Sequence, residues 1–237
     1  MSVHTQAASS AIAYHEGLAA GWDARYRAGG FRRRARFFET AILPRLATEG
    51  RRWIDVGCGS GYFARMLAGR GAEVLGLDGS AAMIEAAWAA TTTDATPVAF
   101  EVVDTVERLP LADASADGCL SLSVLEYLDD PWTCLAEMTR VVRPGGTVVT
   151  STPDPRSVVR RVQGWRRARP DRGNSADYLK SSRRCWTPAE LEAWAGSCGL
   201  VPRFSAGFDP ILPRPLWALG APSLRFAIWS KTGGRRS

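Results

Sequence analysis

The stretch WIDVGCGSG, residues Trp53 to Gly61, decides the predicted fold of this chain. A short apolar run enters glycines at alternate positions, and a helix-like pattern follows with Phe63 and Leu67 on one face. A strand, a glycine turn and a helix in that order bring backbone N–H groups and a helix N-terminus close to a ligand, with no Cβ in the way. The ligand is therefore expected to be nucleotide-like or to carry a carboxylate.

Two acidic residues narrow the choice of nucleotide. Asp78 ends a second apolar run about 20 residues beyond the first glycine, where a carboxylate can accept both ribose hydroxyls. Asp55 lies just before the first glycine and suits an ammonium group, whereas a pyrophosphate would gain nothing from it. The dinucleotide fingerprint also requires a glycine where this chain has Tyr62. A nicotinamide-dependent oxidoreductase is thus disfavoured, and an amino-acid-bearing nucleoside is favoured.

The glycine stretch resembles motif I of the class I S-adenosylmethionine (SAM) dependent methyltransferases, an acid followed by glycines at alternate positions. Three later segments resemble signatures of the same family: Asp104 with the following Leu109-Pro110, the segment SVLEYLDDP, and the turn RPGG. Within this family the chain resembles the small-molecule type, such as the ubiquinone and menaquinone biosynthesis methyltransferases. The resemblance implies SAM as cofactor. The implied cofactor-binding residues are Asp55, Gly57, Cys58, Gly59, Gly61, Asp78, Gly79, Met83, Asp104, Thr105 and Ser121. The Met83 side chain suits either contact with the adenine or packing in the hydrophobic core.

Alternating strand and helix patterns predict an α/β fold, a doubly wound, mostly parallel, Rossmann-like sheet. Seven strands are expected near residues 53–56, 74–77, 98–103, 119–123, 147–150, 201–208 and 224–229. The resemblance implies that the last strand is antiparallel and lies at the edge. Ser80 and Thr187 are placed to cap helices, and Trp88 is expected to face inward. RPGG should stop a helix and turn the chain into a strand.

The length of 237 residues, 46% of them apolar, suits one domain covering residues 1–237. Residues 1–46 resemble the N-terminal helical lid of family members. The alternative is an amphipathic helix pair packed on the sheet edge, and the two interpretations are compatible. Residues 153–186 are either a substrate-side insertion that shapes the acceptor pocket or a surface loop with a helix.

Charge and cysteine content suggest the environment of the protein. The formal net charge of +6 comes mainly from arginine, concentrated in a few runs such as 156–172, which form either a solvated face or an anion-binding patch. Five cysteines without a C-x-x-C pair predict a reducing compartment, with neither a metal site nor disulfides. No apolar run is long enough to span a bilayer, so a soluble cytoplasmic protein is expected.

The expected reaction is methyl transfer to a small-molecule hydroxyl on a quinone-like, aromatic or natural-product acceptor. His15 and Glu126 are the candidate bases, although His15 is alternatively a bystander and Glu126 alternatively fixes its loop. Aromatic candidates for the substrate side are Tyr14, Trp22, Tyr26 and Tyr178. The alternatives are an N-methyltransferase or an RNA- or anion-binding protein. Nucleic acid is disfavoured because the basic run lacks interleaved aromatic residues. The sequence leaves the oligomeric state open.

Overall fold

A single sheet of seven strands carries the part of the chain that the computed structural model describes, namely Ile12 and residues 15–92, 97–161, 186–209 and 221–233. The strands are β1 (Arg52–Val56), β2 (Glu73–Asp78), β3 (Val98–Val102), β4 (Ala116–Leu122), β5 (Val142–Pro153), β6 (Leu200–Phe208) and β7 (Leu224–Lys231). Their order is β3-β2-β1-β4-β5-β7-β6. β1 to β5 pair in parallel, and β7 runs antiparallel to both of its neighbours. The predicted α/β class, with a mostly parallel sheet and an antiparallel last strand, is confirmed.

The predicted position of the last strand was wrong. β7 lies between β5 and β6, and β6 forms the edge of the sheet. Both faces of β7 are covered, with Phe226 and Ile228 in one core cluster and Ala227 and Trp229 in the other. A strand buried on both faces belongs inside a sheet. β6, by contrast, has mostly exposed or half-buried side chains, as an edge strand can.

Five α-helices have both ends within the described residues: α1 (Gly29–Phe37), α2 (Tyr62–Ala68), α3 (Ala81–Ala89), α4 (Pro131–Val141) and α5 (Pro188–Ser197). Both predicted caps are confirmed. The Ser80 hydroxyl accepts a hydrogen bond from the Met83 amide at 3.2 Å, and Thr187 forms a capping box with Glu190. α4 begins after Asp130, whose carboxylate accepts the amides of the first turn.

Two local predictions were wrong. RPGG, residues 143–146, is part of β5 and bulges out of its pairing with β4, because the register steps from Ala116↔Val142 to Gly118↔Thr147. Gly145 adopts φ +77° within this bulge. Trp88 is 49% exposed and does not face inward, because its indole packs edge-on against Phe100 and donates to the Phe100 carbonyl at 3.3 Å.

The N-terminal segment lies against the sheet as a series of short helical pieces. A 3-10 turn (Asp23–Arg27) is followed by α1, by a π-helical turn (Phe38–Ile42) and by a second 3-10 turn (Leu43–Arg45). Ala28 separates the first turn from α1, and Gly29, the first residue of α1, has φ +59°. Phe38 is fully buried, and its ring lies 4.9 Å from the Phe63 ring and 6.4 Å from the Phe226 ring. No helix within the described residues is long and apolar enough to cross a bilayer.

Replacing Phe38 with alanine should lower the free energy of unfolding by about 3 to 5 kcal/mol, because a buried aromatic ring would leave a cavity between the N-terminal segment and the sheet. Urea unfolding followed by circular dichroism measures the change. Phe38→Leu, which keeps most of the apolar volume, is the matched control and should lose less. Equal stability of the wild type and Phe38→Ala would show that this ring does not anchor the segment.

Candidate active site

A cavity of about 860 Å³ opens at the carboxyl ends of the parallel strands, beneath the N-terminal segment. Open α/β sheets bind their ligands at this edge, where the strand order reverses direction. The floor consists of segments that follow β1, β2, β3 and β4. The roof comes from the N-terminal segment, and the far wall from residues near the ends of β5, β6 and β7. The cavity is large enough for a nucleoside together with a second small molecule.

The glycine turn after β1 makes room for a ligand, but the backbone amides of Gly57, Cys58 and Gly59 already donate hydrogen bonds within the protein. Gly57 and Gly59 have φ values of +70° and +53°. A Cβ on Gly57 would lie 2.4 Å from Val124 Cγ2, whereas the nearest atom to a Cβ on Gly59 would be Trp22 Nε1 at 3.8 Å. The Gly57 and Cys58 amides donate to the Leu77 carbonyl at 2.7 and 3.0 Å.

The Gly59 amide donates to Asp78 Oδ2 at 2.8 Å, so it too has a protein partner. These amides of the turn therefore do not await a ligand, contrary to the prediction. What the turn supplies to the cavity wall is the backbone of Gly57 and Gly59, which carry no side chain.

Two predicted cofactor residues do not line the cavity. Gly61 begins α2 with φ +72°, and a Cβ there would lie 2.4 Å from the Phe100 ring. Its role is to let α2 pack against β3. Ser121 is fully buried within β4, and its hydroxyl has no hydrogen-bond partner within the described residues. The next residues of the chain, from Leu122 to Val124, reach the cavity instead.

Asp55 and Asp78 lie side by side at the floor of the cavity, on neighbouring strands. Burial, together with the charge of Asp78, raises the pKa of Asp55 to about 7. Burial also raises the pKa of Asp78, although its carboxylate accepts the Ser80 amide at 2.9 Å as well as the Gly59 amide. Two buried carboxyls of like charge favour a ligand that brings a positive charge and hydroxyl donors.

The remaining predicted cofactor residues surround this acidic pair. Gly79, Met83, Asp104 and Thr105 all line the cavity. Met83 is also fully buried, so its two proposed roles coincide. A Cβ on Gly79 would lie 3.0 Å from Ile12 of the N-terminal segment.

Aromatic side chains of the N-terminal segment form the roof. Trp22 packs edge-on against His15, with ring centroids 5.4 Å apart, and His15 packs against Tyr127 at 5.6 Å. Tyr26 stacks on Tyr62, the first residue of α2, at 4.0 Å. Of the five predicted catalytic and substrate residues on the lid and insertion, His15, Trp22 and Tyr26 line the cavity. Tyr14 and Tyr178 lie outside the described residues, as does 162–185 of the predicted insertion.

Glu126 lies on the cavity wall in a 3-10 turn (Leu125–Tyr127) that follows β4. The residue is 2% exposed, and its Oε2 has no hydrogen-bond partner within the described residues. Burial raises its pKa to about 7, against the opposing effect of the charges of Arg160 and Arg34. A carboxyl with this pKa can accept a proton near neutral pH.

Sequence analysis missed the far wall of the cavity. This wall contains Arg34 from α1, Arg160 after β5, Phe208 at the end of β6, and Ser223 and Leu224 at the start of β7. These residues are far apart in the chain, and each is unremarkable in its own segment. The arginine runs gave the one available signal, which was consistent with either a solvated face or an anion-binding patch.

Comparison with known proteins agrees with this geometry. The sequence profile of a methyltransferase domain matches residues 54–150. A ubiquinone biosynthesis O-methyltransferase from Alkalilimnicola ehrlichii is 34% identical over 179 residues, which cover 70% of this chain and 68% of that protein. The chain covers only 38% to 44% of the length of several further curated methyltransferases.

Solved structures share the fold over most of the chain. An S-adenosylmethionine-dependent methyltransferase from Mesorhizobium loti is 26% identical, with a TM-score of 0.63 over 81% of this chain and 97% of that one. A methyltransferase in complex with the Haloferax volcanii Trm112 methyltransferase activator has a TM-score of 0.71 over 92% of this chain and 98% of that one, and at 23% identity it shows the fold alone. The extended identity to a methyltransferase, the glycine turn between Asp55 and Asp78 and the sheet order lead to one assignment: the chain belongs to the class I SAM-dependent methyltransferases.

Proposed function

We propose that this methyltransferase transfers the methyl group of SAM to a hydroxyl oxygen of a small-molecule acceptor. One observation carries the proposal: the cavity has a buried acidic pair at one end and, on its wall, a buried carboxyl oxygen of Glu126 that has no hydrogen-bond partner among the described residues. The first feature suits the donor and the second suits a hydroxyl acceptor. The name of the Alkalilimnicola ehrlichii relative, an O-methyltransferase, supports the same choice.

The residues at the donor end fit SAM. Asp55 would pair with the ammonium group, and Asp78 would accept the ribose hydroxyls with the lone pairs that its backbone partners leave. The open surface at Gly59 leaves room for the aminoacyl chain. SAM, when bound, supplies a methyl group on a sulfonium sulfur that departs as the thioether of S-adenosylhomocysteine.

The protein's own contribution is to position the acceptor, to remove a proton from it and to exclude water. Holding the reacting groups in line is worth roughly 7 to 11 kcal/mol. Glu126 would accept the proton from the acceptor hydroxyl, because its pKa is about 7 and its Oε2 has no hydrogen-bond partner in the part of the chain that the structure describes. The faces of Trp22 and Tyr26 would stabilise the cationic donor by about 0.5 to 2 kcal/mol. His15 remains a second candidate base.

We infer that residues 1–46 act as a lid, since the part described from Ile12 onward forms the roof of the cavity. A single domain over 1–237, an acceptor insertion at 153–186 and a cytoplasmic location are proposed on sequence grounds. N-methylation, the alternative reaction, needs no general base when the acceptor amine is bound in its neutral form. No contact of the described residues favours nucleic acid.

Replacing Asp78 with alanine should weaken the binding of S-adenosylhomocysteine by about 1 to 3 kcal/mol, because hydrogen bonds to a charged carboxylate are lost. Isothermal titration calorimetry gives the affinity, and thermal unfolding verifies that the variant folds. Asp113→Ala, an exposed carboxylate that pairs with Arg140 outside the cavity, is the matched control. If Asp78→Ala binds as tightly as the control, Asp78 does not hold the ribose.

The affinity for S-adenosylhomocysteine should fall as the pH is lowered through 7. Asp55 has a raised pKa of about 7 in the free protein, so it is ionised above that pH and neutral below it, and only the ionised form pairs with an ammonium group. Between pH 8 and pH 6 the loss should be about tenfold. Calorimetry at several pH values measures it. Asp55→Asn should bind weakly without this step, and Glu126→Gln should retain it; a flat wild-type profile would contradict the assignment.

Glu126→Gln should reduce kcat for a hydroxyl acceptor by about 100- to 10,000-fold, because the amide cannot accept the proton. A panel of phenols and catechols with methyl-labelled SAM provides the assay. The wild-type rate should rise with pH through about 7, following ionisation of Glu126, and the variant should lose that rise. Unchanged affinity for S-adenosylhomocysteine verifies an intact donor site. A variant that retains the wild-type rate and pH profile would leave Glu126 with a structural role only.

A further inference from the structure

Two buried oxygens on the wall of the cavity lack a hydrogen-bond partner within the described residues: Glu126 Oε2 and Ser223 Oγ. Glu126 is 2% exposed and Ser223 is 3% exposed. Buried polar atoms in folded proteins are nearly always paired, and each exception requires an explanation. Because both residues border the same cavity, a polar ligand in that cavity can form hydrogen bonds with both oxygens.

Arg160 provides a cation beside these two oxygens. Its Nε donates to the Ser223 carbonyl at 3.2 Å, so the guanidinium is held next to Ser223. Within the described part of the chain, Arg160 forms no ion pair with an acidic side chain. Its charge nevertheless reaches Glu126, where it opposes the effect of burial on the pKa.

Arg34 brings a second positive charge to the same region. Its Nη2 donates to Ser151 Oγ at 3.5 Å, while its buried Nε has no partner among the described residues. The charge of Arg34 acts on both Asp55 and Glu126, so Arg34 lies between the donor end and the acceptor end. Both guanidiniums therefore act on the Glu126 carboxyl, and the buried Asp209 carboxylate nearby accepts a hydrogen bond from the Ser223 amide at 3.2 Å.

We propose that Arg160, Ser223 and Glu126 form an acceptor subsite for a hydroxylated carboxylic acid. The ligand carboxylate would lie at the Arg160 guanidinium and the Ser223 hydroxyl, both of which are donors, and the ligand hydroxyl at the Glu126 carboxylate, an acceptor. This inference rests on the proposed function, since it names the acceptor class of that site.

The rest of the acceptor wall is apolar and suits the carbon skeleton of such an acid. Apolar side chains line the cavity together with the polar residues of the subsite: Phe31, Leu122, Phe208 and Leu224. An apolar wall with a few polar groups fixes the orientation of a small ligand. The hydroxyl to be methylated would therefore be selected by its distance from the carboxylate on the same molecule.

Calorimetry on the full chain, saturated with S-adenosylhomocysteine, tests the subsite without requiring turnover. The probes are three pairs of an acid and its neutral amide: benzoate and benzamide, 3,4-dihydroxybenzoate and 3,4-dihydroxybenzamide, and octanoate and octanamide. At least one acid should bind more tightly than its amide by about tenfold or more, as expected for a charge-assisted hydrogen bond. Arg160→Gln should reduce this preference to within about twofold while the affinity for S-adenosylhomocysteine stays unchanged.

Arg161→Gln is the matched control, because Arg161 is the next residue, is exposed and does not line the cavity. It should keep the full preference for the acid. The subsite is wrong if no acid binds better than its amide, if the preference survives Arg160→Gln, or if that variant loses affinity for S-adenosylhomocysteine. Of the acids, only 3,4-dihydroxybenzoate carries hydroxyls, so it alone distinguishes the two failures: if it binds through Arg160 but is not methylated when SAM replaces S-adenosylhomocysteine, the subsite is supported and the proposed O-methylation is contradicted.

Discussion

The burial of two carboxyls of like charge is the constraint on which the site depends. Asp55 and Asp78 stand on paired parallel strands, where Asp55 lies opposite Gly76 and the two side chains share one edge of the sheet. Backbone amides stabilise Asp78, whereas burial and the charge of Asp78 raise the pKa of Asp55 to about 7. Perturbed carboxyls in a cleft are typical of functional sites. A cationic donor such as SAM would offset the repulsion between the two carboxylates.

The lack of a Cβ at Gly57 couples the two ends of the cavity. Val124 occupies the space that a side chain at Gly57 would need, so the segment after β4 packs directly on the turn after β1. Glu126 follows Val124 in that segment and is thereby held near the glycine turn. The same contact that shapes the donor site therefore positions the carboxyl that we propose as the base. A substitution at Gly57 would disturb both functions at once.

Contacts with α2 hold the roof over the cavity. Asp23 forms an ion pair with Arg65 on α2 and accepts a hydrogen bond from the Ser60 hydroxyl. Tyr26 stacks on Tyr62 at the start of the same helix. The roof is therefore attached to the helix that follows the glycine turn, which explains how a segment of short helical pieces can cover the site. This attachment supports the proposed lid.

The sequence by itself determined the α/β class, the glycine turn, the acidic pair and the helix caps, because each depends on residues close together in the chain. Only the tertiary structure decided that β7 lies inside the sheet, since strand order depends on which faces are buried. It also decided that Gly61 supports packing and that the turn amides have protein partners. Arg160, Ser223 and Glu126 are separated by long stretches of chain, and no local pattern relates them. Glu126 and Arg160 follow parallel strands, whose carboxyl ends share one edge of the sheet, and Ser223 precedes the antiparallel β7, whose amino end lies at that same edge.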